Sequence, residues 1–160
     1  MSKETPDLNL ICIGPLTNLA MAYRMDSKLP ERLGSLTIMG GTYKGVGNIT
    51  FNTEFNFYQD PEAASIVLQA GFKNVRLIPW ETCLKAEPKG EQISRLYNDS
   101  TLLGQLHKQS NDHMLDANDG KYFIIDTLTA VSIIDESSIV SSFEAIGCVD
   151  ISTGMSKGTL

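Results

Sequence analysis

Three short apolar runs, each bounded by glycine or proline, constrain the fold of this chain more than any other feature. They cover residues 8–13, 36–39 and 75–79. Runs of this length between turn residues are typical of buried strands in a parallel sheet. Helical spacing of apolar residues follows the first run, and Asp60-Pro61 predicts the start of a helix that ends at Gly71. The alternation predicts an α/β fold with a mostly parallel, open sheet flanked by helices.

The remainder of the chain extends this pattern without a linker or an internal repeat. Polar helical segments are predicted as far as about residue 116, then a helix over residues 127–134 and a last strand over residues 143–151. We therefore expect one domain over residues 1–160. Because no closing helix follows the last predicted strand, we expect this domain to be incomplete, a middle portion.

Charge and composition exclude several functional classes. Thirteen Lys and Arg against 19 Asp and Glu give a net charge of −6, which argues against nucleic acid or an anionic membrane as a partner. No apolar run approaches the roughly 18 residues of a membrane span, and none at the start resembles a signal peptide. Cys12, Cys83 and Cys148 are far apart, so we expect buried free thiols and a cytoplasmic setting.

The polar residues that follow the predicted strands are the candidates for function. Ligands bind at the carboxyl ends of strands in open α/β sheets. Asn48, Glu54 and Asn56 follow the second strand, and amides with a carboxylate suit a polyhydroxylated ligand, whose hydroxyls need donors and acceptors. Taken singly, these residues also have simpler interpretations. Glu54, for example, is compatible with a solvated loop carboxylate. Asp126, in an apolar run, is as well explained by a helix N-cap as by a ligand contact.

Three motifs occur together in a fixed order. They are residues 14–20 (GPLTNLA), residues 39–41 (MGG), and residues 54–56 (EFN) leading into residues 60–64 (DPEAA). In this order and spacing they resemble the middle region of the inosine–uridine-preferring nucleoside hydrolase family. The resemblance extends over nearly the whole chain.

The resemblance implies a calcium-dependent hydrolase of purine and pyrimidine nucleoside catabolism, which cleaves the N-glycosidic bond of ribonucleosides to ribose and free base. It implies that the backbone carbonyl of Ile13 and the carboxylate of Asp126 are calcium ligands. It also implies four substrate contacts: Met39, Asn48, Glu54 and Asn56. The expected partner is a nucleoside, with neither nucleic acid nor a membrane, and homo-oligomerisation is left open.

The sequence also departs from the family. The aspartate-rich amino-terminal cluster that supplies most calcium carboxylates and the general base has no counterpart, so no catalytic residue is assigned. Ile125 stands where several members have a histidine. We therefore expect this stretch alone to be inactive, unless a spare carboxylate such as Glu81, Asp116 or Asp119 substitutes. The alternatives are a non-catalytic ribose- or nucleoside-binding pseudoenzyme and a fragmentary gene product.

Overall fold

The structure is a computed structural model that describes residues 7–86, 88, 91–117 and 123–160. These residues divide into two compact units. The first unit contains the described residues up to Thr82 together with Ile125–Leu160, and the second contains the described residues between them. All candidate site residues belong to the first unit.

The first unit is built on a parallel sheet, and it confirms the predicted α/β architecture. Its strands lie in the order of the chain: β1 (Leu8–Cys12), β2 (Leu33–Met39) and β3 (Val75–Ile78). In the register of the sheet, Cys12 pairs with Ile38, and Ile38 pairs with Leu77. Parallel neighbours need crossover connections, and helices supply them here. The sheet is open, as predicted.

Helices form the rest of the regular structure. In chain order they are α1 (Thr17–Met25), α2 (Leu29–Arg32), α3 (Phe55–Gln59), α4 (Pro61–Gln69), α5 (Trp80–Cys83), α6 (Glu91–Tyr97), α7 (Leu102–Ala117) and α8 (Ile125–Ile134). A short 3₁₀ turn, Glu136–Ser138, follows α8. In the second unit α6 and α7 pack against each other. No helix among the described residues is long and apolar enough to cross a membrane.

The core of the first unit lies on one face of β2. Leu36 and Ile38 are completely buried, and they join α1 and α4 in one apolar cluster: Leu16, Leu19, Ala20, Leu36, Ile38, Phe57, Ala63, Ala64, Val67 and Val149. On β3, Arg76 donates to the carbonyl of Ser132 in α8. Arg76 alternates with Leu77, the neighbour of Ile38, so α8 covers the opposite face. Helices on both faces explain why the last four residues of the central strand, Leu36–Met39, are all buried.

The predicted start and end of α4 are confirmed. Asp60 is its N-cap, and the Oδ1 atom of Asp60 accepts a hydrogen bond of 3.0 Å from the backbone N–H of Ala63. Pro61 takes the first helical position, where a missing N–H costs nothing. Gly71, with φ of +77°, follows the last turn in the left-handed conformation.

Two expectations are corrected. Residues 143–151 form no strand: they lie in an irregular segment where Phe143 is 70% exposed and Ile146 completely exposed. Alternation gives a strand one apolar face, but its backbone needs a neighbouring strand, and among the described residues none lies beside it. The three cysteines form no disulfide, as expected, but only Cys83 is buried, while Cys12 is half-buried and Cys148 is exposed.

Candidate functional site

The carboxyl ends of the three strands lie along one edge of the sheet. Ile13 follows Cys12, whose partner is Ile38, so Ile13 is level with Met39 on the next strand. Beyond β2 the pairing with β3 continues, because the N–H of Gly40 donates to the carbonyl of Ile78 at 3.2 Å and that of Trp80 to Gly41 at 3.0 Å. Residues after each strand therefore meet at this edge, where open α/β sheets bind ligands.

Glu54 is the most completely buried carboxylate at this edge, with 2% of its surface exposed. Its Oε1 atom accepts from the N–H of Asn56 at 2.8 Å, and its Oε2 atom accepts from Gly41 at 2.9 Å and Phe57 at 3.2 Å. Glu54 is thus the N-cap of α3, and it also holds the turn after β2. The interpretation of Glu54 as a solvated loop carboxylate is wrong.

The pKa of Glu54 depends on burial, on its hydrogen bonds and on the charge of Asp126. Burial raises the pKa of Glu54, its backbone hydrogen bonds act to lower that pKa, and the nearby negative charge of Asp126 raises it. Burial also raises the pKa of Asp126. Asp126 is the second residue of α8, so it is not the N-cap residue, and no group in the described part of the chain donates a hydrogen bond to its carboxylate. Carboxylates with raised pKa values in a crevice are typical of functional sites.

Asn56 contacts Met39 across the same edge. Its side-chain Nδ2 donates to the carbonyl oxygen of Met39 at 3.1 Å and lies 3.2 Å from the sulfur. Both residues are buried. The Oδ1 atom of Asn56 accepts no hydrogen bond from any residue that the structure describes. Because α3 begins at Phe55, the side chains of Glu54 and Asn56 are related by a helix start, and not by the extended chain in which residues two apart share a face.

Asn48 approaches the same helix from the preceding loop. Its Oδ1 atom accepts a 2.8 Å hydrogen bond from the N–H of Phe55, the residue next to Glu54. Asn48 itself is exposed, and its Nδ2 has no partner in the part of the chain that is described. The structure therefore brings Met39, Asn48, Glu54 and Asn56 together around the first turn of α3.

The described residues do not make a complete cage for calcium. Calcium takes about six to eight oxygen ligands, preferably with several carboxylates. Among the described residues no three His, Cys, Asp or Glu side chains are grouped as metal ligands. Asp126 and the carbonyl of Ile13, half-exposed at the end of β1, are of the right oxygen type but too few. Of the spare carboxylates, Asp119 and the side chain of Asp116 lie outside the described residues.

Glu81 has a role that the sequence did not indicate. It is 5% exposed, and its carboxylate accepts hydrogen bonds from the backbone N–H groups of Tyr43, Lys44 and Val46. Glu81 is thus already engaged in the loop after β2. The signal available in the sequence was its place directly beyond the third strand, at the same edge as the other candidates.

Comparison with known proteins agrees with this arrangement. The profile of the inosine-uridine preferring nucleoside hydrolase family matches residues 1–160. The chain belongs to this family. Among its curated relatives, the pyrimidine-specific ribonucleoside hydrolase RihB of Escherichia coli K12 is 43% identical over 65 residues, which is 41% of this chain and 20% of that protein.

Solved nucleoside hydrolases share its fold. A plant nucleoside hydrolase, PpNRh1, superimposes with a TM-score of 0.87 at 25% identity, over 99% of this chain and 51% of that one. The purine-preferring ribonucleoside hydrolase of Gardnerella vaginalis gives a TM-score of 0.88 at 24% identity over the same shares. The chain thus spans about half the length of these structures, and a fifth of the curated relative is aligned with it.

Proposed function

We propose that this chain carries the ribose-binding part of a ribonucleoside hydrolase, which cleaves the N-glycosidic bond to give ribose and free base. One observation carries the proposal. Glu54 is a deeply buried carboxylate at the carboxyl ends of the parallel strands; it accepts from Asn56, whose side chain contacts Met39, and the negative charge of Asp126 raises its pKa. A carboxylate that serves only as a helix N-cap is usually exposed, since burial of its charge is costly.

The hydrogen-bond capacity of these residues fits a sugar. A carboxylate has about four acceptor positions, and backbone N–H groups occupy three of those of Glu54. One acceptor on Glu54 and the Oδ1 atom of Asn56 are open for ribose hydroxyls, and the Nδ2 of Asn48 is an open donor. The sulfur and methyl of Met39 would pack beside the sugar ring. The negative charges of Glu54 and Asp126 favour the oxocarbenium-like character of glycoside cleavage.

The substrate class is proposed at the level of ribonucleosides. The names of the relatives specify different bases: pyrimidine for RihB, inosine and guanosine for a second solved structure, and purine for the enzyme of Gardnerella vaginalis. The residues assigned here would contact the sugar, which all these nucleosides share. We therefore propose a common ribose site.

We further propose that calcium is the cofactor and that Ile13 and Asp126 donate two oxygens to it. Both oxygens are hard donors at the edge that carries Glu54, and the carboxylate of Asp126 has no competing partner among the described residues. A cytoplasmic setting is proposed on the three cysteines, which form no disulfide. Homo-oligomerisation is left open.

The ribose contacts are tested by substitution in the complete gene product. We expect Glu54→Ala and Asn56→Ala each to lower kcat/KM for inosine and uridine. The decrease should correspond to a loss of about 1–3 kcal/mol in transition-state binding free energy, since a buried polar contact is lost. Glu136→Ala and Asn98→Ala, which remove an exposed carboxylate and an exposed amide, are matched controls. Rates are normalised to folded protein. Unchanged turnover in both site variants would reject the ribose site.

The incompleteness of the donor set is tested on the 160-residue chain by calorimetric titration with calcium. Two protein oxygens are too few for a tight site, and the general base is unassigned, a role commonly worth about 10²–10⁴-fold in rate. We expect neither micromolar calcium binding nor release of free base from inosine or uridine. Tight binding together with metal-dependent release would mean that another carboxylate completes the site, and it would contradict the donor count.

A further inference from the structure

Glu81 is a buried carboxylate to which the proposed ribose contacts assign no role. It lies in the first turn of α5, directly beyond β3, and its Oε1 atom accepts from the N–H of Lys44 at 2.7 Å and from that of Val46 at 3.3 Å. The N–H of Tyr43 donates to both carboxylate oxygens, at 3.1 and 3.2 Å. One side chain therefore holds three backbone amides of the segment that follows β2.

This segment, residues 42–53, contains Asn48 and leads directly into Glu54; it is named here the Asn48 loop. Gly45 adopts φ of +69°, which turns the backbone so that Lys44 and Val46 donate to the same carboxylate. The second half of the loop is closed by its own backbone, because Gly47 donates to Phe51 and Asn48 to Thr53. The first half thus depends on Glu81, and the second half on local hydrogen bonds.

The two buried glutamates hold successive parts of one chain segment. Glu54 accepts from Gly41 at the start of the segment, and Glu81 accepts from the amides that follow. An apolar residue in place of Glu81 would leave three N–H groups without their acceptor, and the backbone would then turn them toward water. Such a turn would rotate the residues immediately before Asn48.

We propose that Glu81 is a positioning residue, which sets the conformation of the Asn48 loop and so directs the amide of Asn48 at the ribose. The proposal rests on the proposed ribose contact of Asn48. Glu81 acts through the backbone of residues 43–46 and makes no contact with the substrate itself. Its effect on substrate binding is therefore expected to pass through Asn48.

The test is a double-mutant cycle in the complete gene product, with inosine and uridine as substrates. We expect Asn48→Ala and Glu81→Ala each to raise KM about tenfold with a smaller change in kcat, since a contact to ribose is one hydrogen bond. The double variant should be no worse than Asn48→Ala alone, since both changes remove the same contact. Glu81→Gln, which keeps one acceptor, should fall between wild type and Glu81→Ala. Glu136→Gln, an exposed carboxylate, should match wild type.

Amide hydrogen exchange measured by NMR gives a readout that does not depend on turnover. In Glu81→Ala, and in Glu81→Gln if the alanine variant does not fold, the amides of Tyr43, Lys44 and Val46 should exchange at least about tenfold faster. The amide of Ala63, which is capped by Asp60, should not change. Unchanged exchange at the three amides would overturn the proposal.

The kinetic outcomes separate this proposal from the one on which it rests. If Asn48→Ala raises KM but the effects of Glu81→Ala and Asn48→Ala add in the double variant, Glu81 acts elsewhere and the positioning role is rejected. If Asn48→Ala leaves KM unchanged, the ribose contact of Asn48 is rejected and the positioning role with it. In that case the exchange rates still report whether Glu81 holds the loop.

Discussion

The Asn48 loop and the segment of residues 139–151 differ in burial in the opposite sense to the one that their compositions suggest. The loop is largely polar and contains Gly45 and Gly47, yet Thr42 and Thr53 are buried in it, and the N–H groups of residues 43, 44, 46–49 and 53 are hydrogen-bonded. The 139–151 segment has alternating apolar residues, yet Val140 and Ile146 are almost fully exposed. The difference lies in the partners: the buried carboxylate of Glu81 and the loop's own carbonyls supply acceptors to the loop, whereas no described strand lies beside the segment.

The two regions are in contact through one pair of aromatic rings, and this contact buries little of the segment. The ring centroids of Tyr43 in the loop and Phe143 in the segment are 5.8 Å apart, yet Phe143 stays 70% exposed. Val149 is the exception in the segment, since it is buried in the core cluster. A residue in this part of the chain is thus stabilised only where it reaches the core.

The largest expected effect on stability is that of Glu54→Ala. Three backbone amides lose their acceptor in a buried place, which predicts a loss of about 3 kcal/mol in the free energy of unfolding. Urea denaturation measures it. Glu136→Ala, which removes an exposed ion pair with Arg76, should cost less than about 1 kcal/mol. Equal losses in the two variants would show that the hydrogen bonds from Gly41, Asn56 and Phe57 to Glu54 contribute no more than an exposed ion pair.

Gly40→Ala should cost about 2 kcal/mol, because the site turn is closely packed. A Cβ atom at Gly40 would lie 2.7 Å from two ring atoms of Phe57 and 3.2 Å from the Oε2 atom of Glu54. The ring is itself completely buried, so it has little room to move. Gly14→Ala is the matched control at the same edge of the sheet, since a Cβ atom there meets nothing within 4 Å. A smaller loss at Gly40 than at Gly14 would contradict the packing argument.

Local features were predictable from the sequence because their causes are local. The run within β2, residues 36–39, is buried because helices cover both faces of the sheet, and Asp60 caps α4 through its own side chain. The polar cluster of Asn48, Glu54 and Asn56 was recognisable as residue types after a strand. The geometry of the cluster could not be predicted, because Glu54 begins α3 as its N-cap and accepts from the N–H groups of Asn56 and Phe57.

Contacts between distant residues could not be predicted in this way. Glu81 reaches the Asn48 loop across more than 30 positions, and Asp126 approaches Glu54 only because α8 packs on the sheet. The alternation of residues 143–151 predicted a strand because it gives an extended chain one apolar face. The prediction was wrong because a sequence pattern does not show whether a neighbouring strand is present to pair with it. The roles assigned to the site residues remain predictions.

Asp126 and Asp150 should respond to pH with opposite signs. Burial raises the pKa of Asp126 in the folded state, so its contribution to stability is full below the unfolded value, near 3.8, and is lost as the pH rises through the raised pKa. Hydrogen bonds from Ser152 and Ser156 lower the pKa of Asp150 to about 2, so its contribution is present above 3.8 and is lost as the pH falls toward 2.

Asparagine substitutions separate these two contributions. Asp126→Asn should raise Tm at neutral pH, and its advantage over wild type should disappear as the pH falls toward 4. Asp150→Asn should lower Tm at neutral pH, and its deficit should shrink only as the pH falls below about 4. Thermal unfolding at a series of pH values measures both. The same sign for both variants would mean that Asp126 has a stabilising partner, which would weaken its assignment as a ligand.

The smallest effect is expected in the exposed part of the 139–151 segment. Ile146 is completely exposed, so Ile146→Ser removes no burial and should change the free energy of unfolding by less than about 0.5 kcal/mol. Val149→Ala, three residues further on, removes two buried methyl groups from the core and should cost about 1–2 kcal/mol. Urea denaturation of the two variants compares them directly.

A strand packed on the unit would bury apolar residues at every second position. Phe143 and Val149 would then lie on one face and Ile146 on the other. A loss at Ile146 as large as that at Val149 would show that the segment is covered in solution, and the contrast with the Asn48 loop would then fail.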